Sequence, residues 1–116
     1  MLWAVGVPGR LRPAAREQVE DRANEVFVSA VCVWEAAIKR GLGKLEVRGD
    51  LLGEIDEAGF IPLAVTFDHG LAAGALPHHH ADPFDRMLIA QAQLEGLTIV
   101  TRDRRFTAYD VALLPA

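Results

Sequence analysis

Residues 82–101 read DPFDRMLIAQAQLEGLTIVT, and the way this stretch divides decides the fold. Asp82 is a good helix N-cap, Pro83 suits the first helical position, and Asp85 falls in the first turn, where a carboxylate favours the helix dipole. The apolar residues Phe84, Met87, Leu88, Ile89, Ala90, Ala92 and Leu94 cover more than one side, so the pattern predicts a helix that is largely buried. Gly96 stops it. "LTIVT" then reads as an apolar, β-branched strand ending at Thr101. A helix turned directly into an apolar strand is the repeating step of an α/β chain.

The step recurs on both sides. Upstream, "EVFVSA" predicts a strand ending near Ser29, and "VCVWEAAIKRGLGKL" a helix that stops at Gly41 and Gly43. "DLLGEIDEAGF" predicts a second helix opened by Asp50, "IPLAV" a strand, and "FDHGLAAGAL" a helix weakened by Gly70 and Gly74. Downstream, "DRRFTAY" reads as a short helical turn and "VALL" as a last strand. Nearer the start, Pro13 opens a helix over "AAREQVEDR". Alternating helices and short apolar strands predict an α/β fold with a small, mainly parallel sheet covered on both faces. No repeat or linker interrupts the chain, so residues 1–116 are expected to form one domain. In such folds ligands bind beyond the carboxyl ends of the strands, which directs attention to the residues after Ser29 and Thr101.

The net charge is −4, so bulk charge would not draw a nucleic acid; a bound cation or a local basic patch such as Arg102, Arg104 and Arg105 would have to. The single cysteine, Cys32, excludes an intramolecular disulfide and reads as a small buried hydrophobe between Val31 and Val33. No run approaches the roughly 18 apolar residues of a membrane span. The start lacks the marks of a signal peptide, so the expected setting is cytoplasmic.

Each acidic candidate has an ordinary reading beside a functional one. Glu35 lies within the stripe Val31, Trp34, Ile38 and Leu42, where a core-facing carboxylate must be paired or coordinated; pairing with Lys39 or Arg40 at the edge of the stripe is the alternative. Asp82 and Asp85 are explained as a helix start, yet Asp85 on so apolar a helix has to point into a cleft or into the protein. Asp103, just after "LTIVT", either caps the next turn or stands where α/β folds put their sites. His78, His79 and His80 are contiguous and read as a solvated loop. Together, Glu35, Asp85 and Asp103 form a carboxylate set without His or Cys, which suits Mg²⁺ or Mn²⁺ rather than zinc. Two such cations can activate a water and stabilise the leaving oxygen of a phosphodiester.

Three stretches, "VSAVCVWEAAIKRGLGKL", "HHHADPFDRMLIAQA" and "LTIVTRDRRFTAYDVALL", resemble the VapC-type toxins of the PIN-domain ribonuclease family. The resemblance runs from Leu2 to Leu114. It implies a three-layer PIN-like fold and a Mg²⁺-dependent (or Mn²⁺-dependent) endoribonuclease, the toxin of a type II toxin–antitoxin system. It also implies a VapB-type antitoxin partner, an RNA substrate and a homodimer. By position, Glu35, Asp85 and Asp103 correspond to catalytic metal ligands; Asp82 is an accessory aspartate, and Ser29 and Thr101 are hydroxyls near the metal.

The start departs from the family pattern. Family members open with an apolar strand ending in an aspartate, whereas "MLWAVG" matches residues inside the following helix. The expectation is therefore a sheet whose N-terminal central strand is missing, and a site without its first aspartate. A misassigned start is preferred to a decayed copy, because the remaining motifs are intact. The rival function is an inactive PIN-fold protein that binds an antitoxin without catalysis.

Overall fold

The computed structural model describes residues 2–5, 25–43, 51–79, 81–101 and 104–115. In chain order the elements are β1 (Leu2–Val5), β2 (Glu25–Ser29), α1 (Ala30–Gly41), α2 (Leu51–Glu57), β3 (Ile61–Leu63), α3 (Phe67–Ala75), α4 (Pro83–Glu95), β4 (Thr98–Thr101), a 3-10 turn (Arg104–Ala108) and β5 (Leu113–Pro115). The helix expected over residues 13–22 lies outside the described residues.

The five strands form one parallel sheet in the order β3-β2-β1-β4-β5. β1 is central: Trp3 stands opposite Val26 of β2 and Thr98 of β4, and Val5 opposite Val28 and Val100. This corrects the expectation of an absent central strand. β2 and β4 are only five and four residues long, so an extended segment of four residues suffices to pair with both of them. The backbone asks for an extended segment at that place, and Leu2–Val5 meets the demand whatever position its residues match in the family pattern. The order β3-β2-β1 grows one way from the centre and β4-β5 the other, so the topological switch lies between β1 and β4.

α4 is the buried helix that its pattern predicts. Leu88, Ile89, Ala90 and Ala92 are buried, and with Val28, Leu97, Ile99 and Phe106 they make up the centre of the core. Asp82 caps it, Pro83 is at its start, and Gly96 ends it with φ +66, a left-handed conformation that a side chain would strain. Two polar side chains of α4 are buried as well. Arg86 donates to the carbonyls of Ala73 (2.9 Å), Leu76 (3.0 Å) and Pro77 (3.0 Å), and so satisfies the C-terminal end of α3. Gln91, fully buried, faces the start of α1.

α1 differs from its predicted pattern. Its buried residues are Val31, Cys32 and Ala36, whereas Trp34 is 61% exposed and Leu42 64%. The stripe expected to face the core is thus mostly a surface. β3 is an edge strand, shorter than its apolar run suggested and largely exposed. α3 opens with a reciprocal cap: the His69 N–H donates to Thr66 Oγ1 (3.2 Å) and the Thr66 N–H to His69 Nδ1 (3.0 Å). His69 is buried, and its other ring nitrogen lies 2.8 Å from Glu95 Oε1.

Candidate metal centre

Ser29 ends β2 and caps α1, so α1 rises directly from the carboxyl end of the sheet, and Glu35 sits in its second turn. α4 brings Asp82 and Asp85 to meet it. One carboxylate oxygen from each of Glu35, Asp82 and Asp85 lies within 4.8 Å of the others, and all three residues are half-buried. Among the described residues these three form the group of metal-ligating type.

Each carboxylate is placed by a local cause. Asp82 Oδ1 accepts the N–H groups of Phe84 (2.8 Å) and Asp85 (3.2 Å), the bonds that start the helix. Asp85 follows three residues later and so lies on the same side of the first turn. Glu35 accepts from Lys39 Nζ at 3.2 Å, one turn along α1, in an exposed ion pair. The pairing expected for a Glu35 at the edge of its stripe is therefore present, and the same carboxylate still reaches the cluster.

The donor set tells which cations fit. It consists of carboxylate oxygens, with no imidazole or thiolate in the group. Hard divalent cations such as Mg²⁺ and Mn²⁺ take such oxygens together with water. The cluster also leaves its mark on Cys32. Burial pushes that thiol up to about 12, with the negative charges of Glu35 and Asp85 adding to the effect.

The other sequence candidates stand as follows. Ser29 is buried, and its hydroxyl donates to Gln91 Oε1 and accepts the Val31 N–H. Thr101 is half-buried at the end of β4. Asp103, Arg102 and His80 lie outside the described residues. His79 packs its ring edge-on against Tyr109, with centroids 5.4 Å apart, and neither it nor His78 joins a metal-ligating group among the described residues.

Sequence reasoning left Asp82 as an accessory residue; the structure makes it a helix cap and a member of the cluster at once. The spacing of Asp82 and Asp85, one turn apart, was the available signal. It also missed the cleft beside the carboxylates. Ala30, Val31, Trp34, Val65, Pro83, Phe84 and Met87 line a cavity of about 420 Å³ that is almost wholly apolar. Trp34 and Phe84 meet edge-on across it, with centroids 4.9 Å apart. The signal was the run of large apolar residues on α1 beyond what one buried stripe needs.

Among the described residues no helix is long and apolar enough to cross a membrane. Comparison with curated proteins finds no match. Solved structures share the fold. VapBC2 from Rickettsia felis, in a complex with a DNA fragment from its promoter, superposes with a TM-score of 0.70 at 14% identity, covering 98% of each chain. VapBC-5 from Mycobacterium tuberculosis, a member of the VapBC toxin–antitoxin family, gives 0.68 at 18% identity, with 99% of this chain and 98% of that one covered. FitAcB from Neisseria gonorrhoeae gives 0.64 at 23% identity, with 99% and 97% covered. The family model for the PIN domain matches residues 3–112, nearly the whole chain. With that match and a parallel sheet that sets carboxylates beyond its carboxyl edge, the chain belongs to the PIN-domain family.

Proposed function

We propose that this protein is the toxin of a type II toxin–antitoxin pair, a divalent-metal-dependent endoribonuclease. The observation that carries the reading is the meeting of Glu35, Asp82 and Asp85 within 4.8 Å. Glu35, Asp82 and Asp85 would hold Mg²⁺ or Mn²⁺, with Asp103 joining from the segment after β4 and Thr101 beside it. The cation would supply charge stabilisation at the phosphodiester and ease the loss of a proton from the water that attacks it. The chain's own part is to hold carboxylates close together and half-buried, which makes their mutual repulsion favour an incoming cation.

The cleft lined by Trp34, Phe84, Val65 and Met87 supports a protein partner of VapB type. A segment with apolar side chains for the cleft and a cation for the carboxylates would suit both features. Phe67 and Leu71, 92% and 76% exposed one turn apart on α3, support self-association into a homodimer. A cytoplasmic setting belongs to the same reading.

The rival is a PIN-fold protein that captures an antitoxin without cutting RNA. One observation favours it: the central strand β1 is followed by Gly6 and Val7, and the first acidic residue of the sequence is Glu17. The first family aspartate therefore has no counterpart at the end of β1.

The test is a Mn²⁺ titration and an RNA cleavage assay on wild type and Asp85→Asn. The ribonuclease reading expects Mn²⁺ binding and Mn²⁺-dependent cleavage, both lost in Asp85→Asn. Mn²⁺ binding without cleavage, in a chain that still captures its antitoxin, would decide for the rival. Equal Mn²⁺ affinity in wild type and variant would remove the site.

A further inference from the structure

We infer that the buried hydrogen bond between Ser29 and Gln91 sets the spacing of α1 against α4 and so holds Glu35 at cation-binding distance from Asp82 and Asp85. The inference rests on the cation site proposed above and adds to it two positioning residues that are not ligands.

The carboxylates come from two helices, and the geometry of the site is the geometry of that pair. Two side-chain contacts between the helices show how they lie. Ser29, at the start of α1, meets Gln91 in the second half of α4. Trp34, farther along α1, meets Phe84 in the first turn of α4. The contacts run in opposite order along the two helices, so α1 lies antiparallel to α4. Gln91 and Phe84 are seven residues apart, a rise of about 10 Å, and the carboxylates lie at the Phe84 end. A small swing of α1 at its Ser29 end is therefore a displacement of Glu35 at the other.

The hold at the carboxylate end is weak. Trp34 is 61% exposed, so its contact with Phe84 is made at the surface, within reach of water. The hold at the far end is directional and dry. Ser29 and Gln91 are both 0% exposed, so water cannot replace their bond once it is lost.

The amide orientation is fixed on both sides. Gln91 Oε1 accepts the Ser29 hydroxyl at 2.5 Å, while its Nε2 donates to the Ala64 carbonyl at 3.3 Å, just past β3. A flipped amide would set its oxygen against the Ala64 carbonyl. Ser29 is equally committed: its oxygen accepts the Val31 N–H at 3.1 Å, which caps α1. One serine thus starts the helix that carries Glu35 and ties that start to the helix that carries Asp82 and Asp85. Its hydroxyl acts on the cation through the position of Glu35 and not as a ligand. A polar residue in the apolar run "MLIAQA" also gains a reason, because an apolar side chain at 91 could not make this tie.

The experiment is Mn²⁺ titration, followed by calorimetry and by the Mn²⁺ spin-resonance signal, on the full chain and on Ser29→Ala, Ser29→Thr, Gln91→Met and Asp85→Asn. Circular dichroism and thermal melting are recorded for each, and affinity is taken well below the melting point. Both Ser29→Ala and Gln91→Met are expected to bind Mn²⁺ about tenfold more weakly, as when the support of a metal ligand is removed. The double variant is expected to weaken binding by less than the two single effects combined, since the bond between Ser29 and Gln91 is lost in all three. Ser29→Thr, which keeps the hydroxyl, is expected to bind as wild type does. A purely structural bond would lower the melting point and leave the Mn²⁺ affinity alone. The inference is overturned if folded Ser29→Ala or Gln91→Met binds Mn²⁺ as tightly as wild type while Asp85→Asn has lost it. Wild-type affinity in Asp85→Asn would overturn the cation site itself, and this inference with it. Should Gln91→Met not fold, Gln91→Asn, whose shorter side chain keeps an amide but falls short of Ser29 and leaves the α1 cap in place, makes the same decision.

Discussion

α4 and α1 both carry carboxylates of the candidate site, and they are held in opposite ways. α4 is fixed along its length: capped by Asp82, buried at Leu88, Ile89, Ala90, Gln91 and Ala92, and stopped by Gly96. Arg86 ties it to the end of α3 through the carbonyls of Ala73, Leu76 and Pro77. α1 buries Val31, Cys32 and Ala36 and turns Trp34, Ile38 and Leu42 outward. The site accordingly has one wall placed by the core and one placed by a few side-chain contacts. Asp82 and Asp85 are where the fold puts them; Glu35 is where α1 is allowed to stand.

The largest test of this contrast sets Arg86 against Trp34. Arg86→Ala strips a charged donor from several buried carbonyls, each bond worth about 1.5–3 kcal/mol, and is expected to cost about 5 kcal/mol. That is comparable to the whole stability of a small domain, so the variant should be largely unfolded in dilute urea. Trp34→Ala removes an exposed ring and one aromatic contact, for about 1 kcal/mol. Urea unfolding of the two variants decides. Equal costs would mean that α1 is as firmly held as α4.

The next test probes the buried face of α1 through Cys32. Its thiol is raised by burial first, then by Glu35 and Asp85, from 9.0 to about 12. A raised folded value means that the folded chain keeps a proton which the unfolded chain gives up above pH 9. The stability contributed is therefore intact below pH 9 and lost as pH rises towards 12, up to about 4 kcal/mol. Wild type should lose stability over that range faster than Cys32→Ala does. Parallel pH profiles would show that the face of α1 bearing Cys32 is open to water.

What the sequence disclosed follows the same division. α4 was legible in full, because a cap, a proline, an apolar run and a glycine all argue for the same helix. The parallel sheet was legible from the alternation of elements, and so was the meeting of Glu35 with Asp85. The outward face of α1 was not: apolar spacing marks a stripe that avoids water in some context, and a binding cleft leaves the same spacing as a core. The place of Leu2–Val5 was not legible either, since matching these residues to a family helix says nothing of which segment the neighbouring strands will pair with. The tie between Ser29 and Gln91 joins residues 62 apart in the chain, beyond the reach of any local pattern.

A smaller effect separates the two duties of Asp82. Asn caps helices about as well as Asp, so Asp82→Asn is expected to leave stability within about 0.5 kcal/mol of wild type while weakening Mn²⁺ binding. Asp82→Ala loses the cap as well and should cost about 1 kcal/mol. Melting and Mn²⁺ titration of the pair give both readings. Unchanged Mn²⁺ affinity in Asp82→Asn would leave Asp82 a cap alone, and the fixed wall would contribute Asp85 by itself.

The smallest expected effect has the opposite sign. Lys39 pairs with Glu35 at 3.2 Å, and its side chain is 50% exposed. An exposed pair at this spacing on a helix is worth about 0.3–0.5 kcal/mol, so Lys39→Met should barely move the melting point. Its ammonium nevertheless competes with any cation for the Glu35 carboxylate. Two unit charges at such a distance interact by about 1 kcal/mol in water, so removing Lys39 should tighten Mn²⁺ binding by up to about fivefold at low salt. The gain should fade towards 1 M salt, where charges are screened within about 3 Å. Substitution of Asp82 or Asp85 weakens binding, which makes the sign the informative part. Weaker Mn²⁺ binding in Lys39→Met would instead mean that the lysine holds the Glu35 side chain in its binding position. The adjustable wall would then be fixed at the side chain as well as at its helix, and the contrast between α1 and α4 would narrow to the depth of their burial.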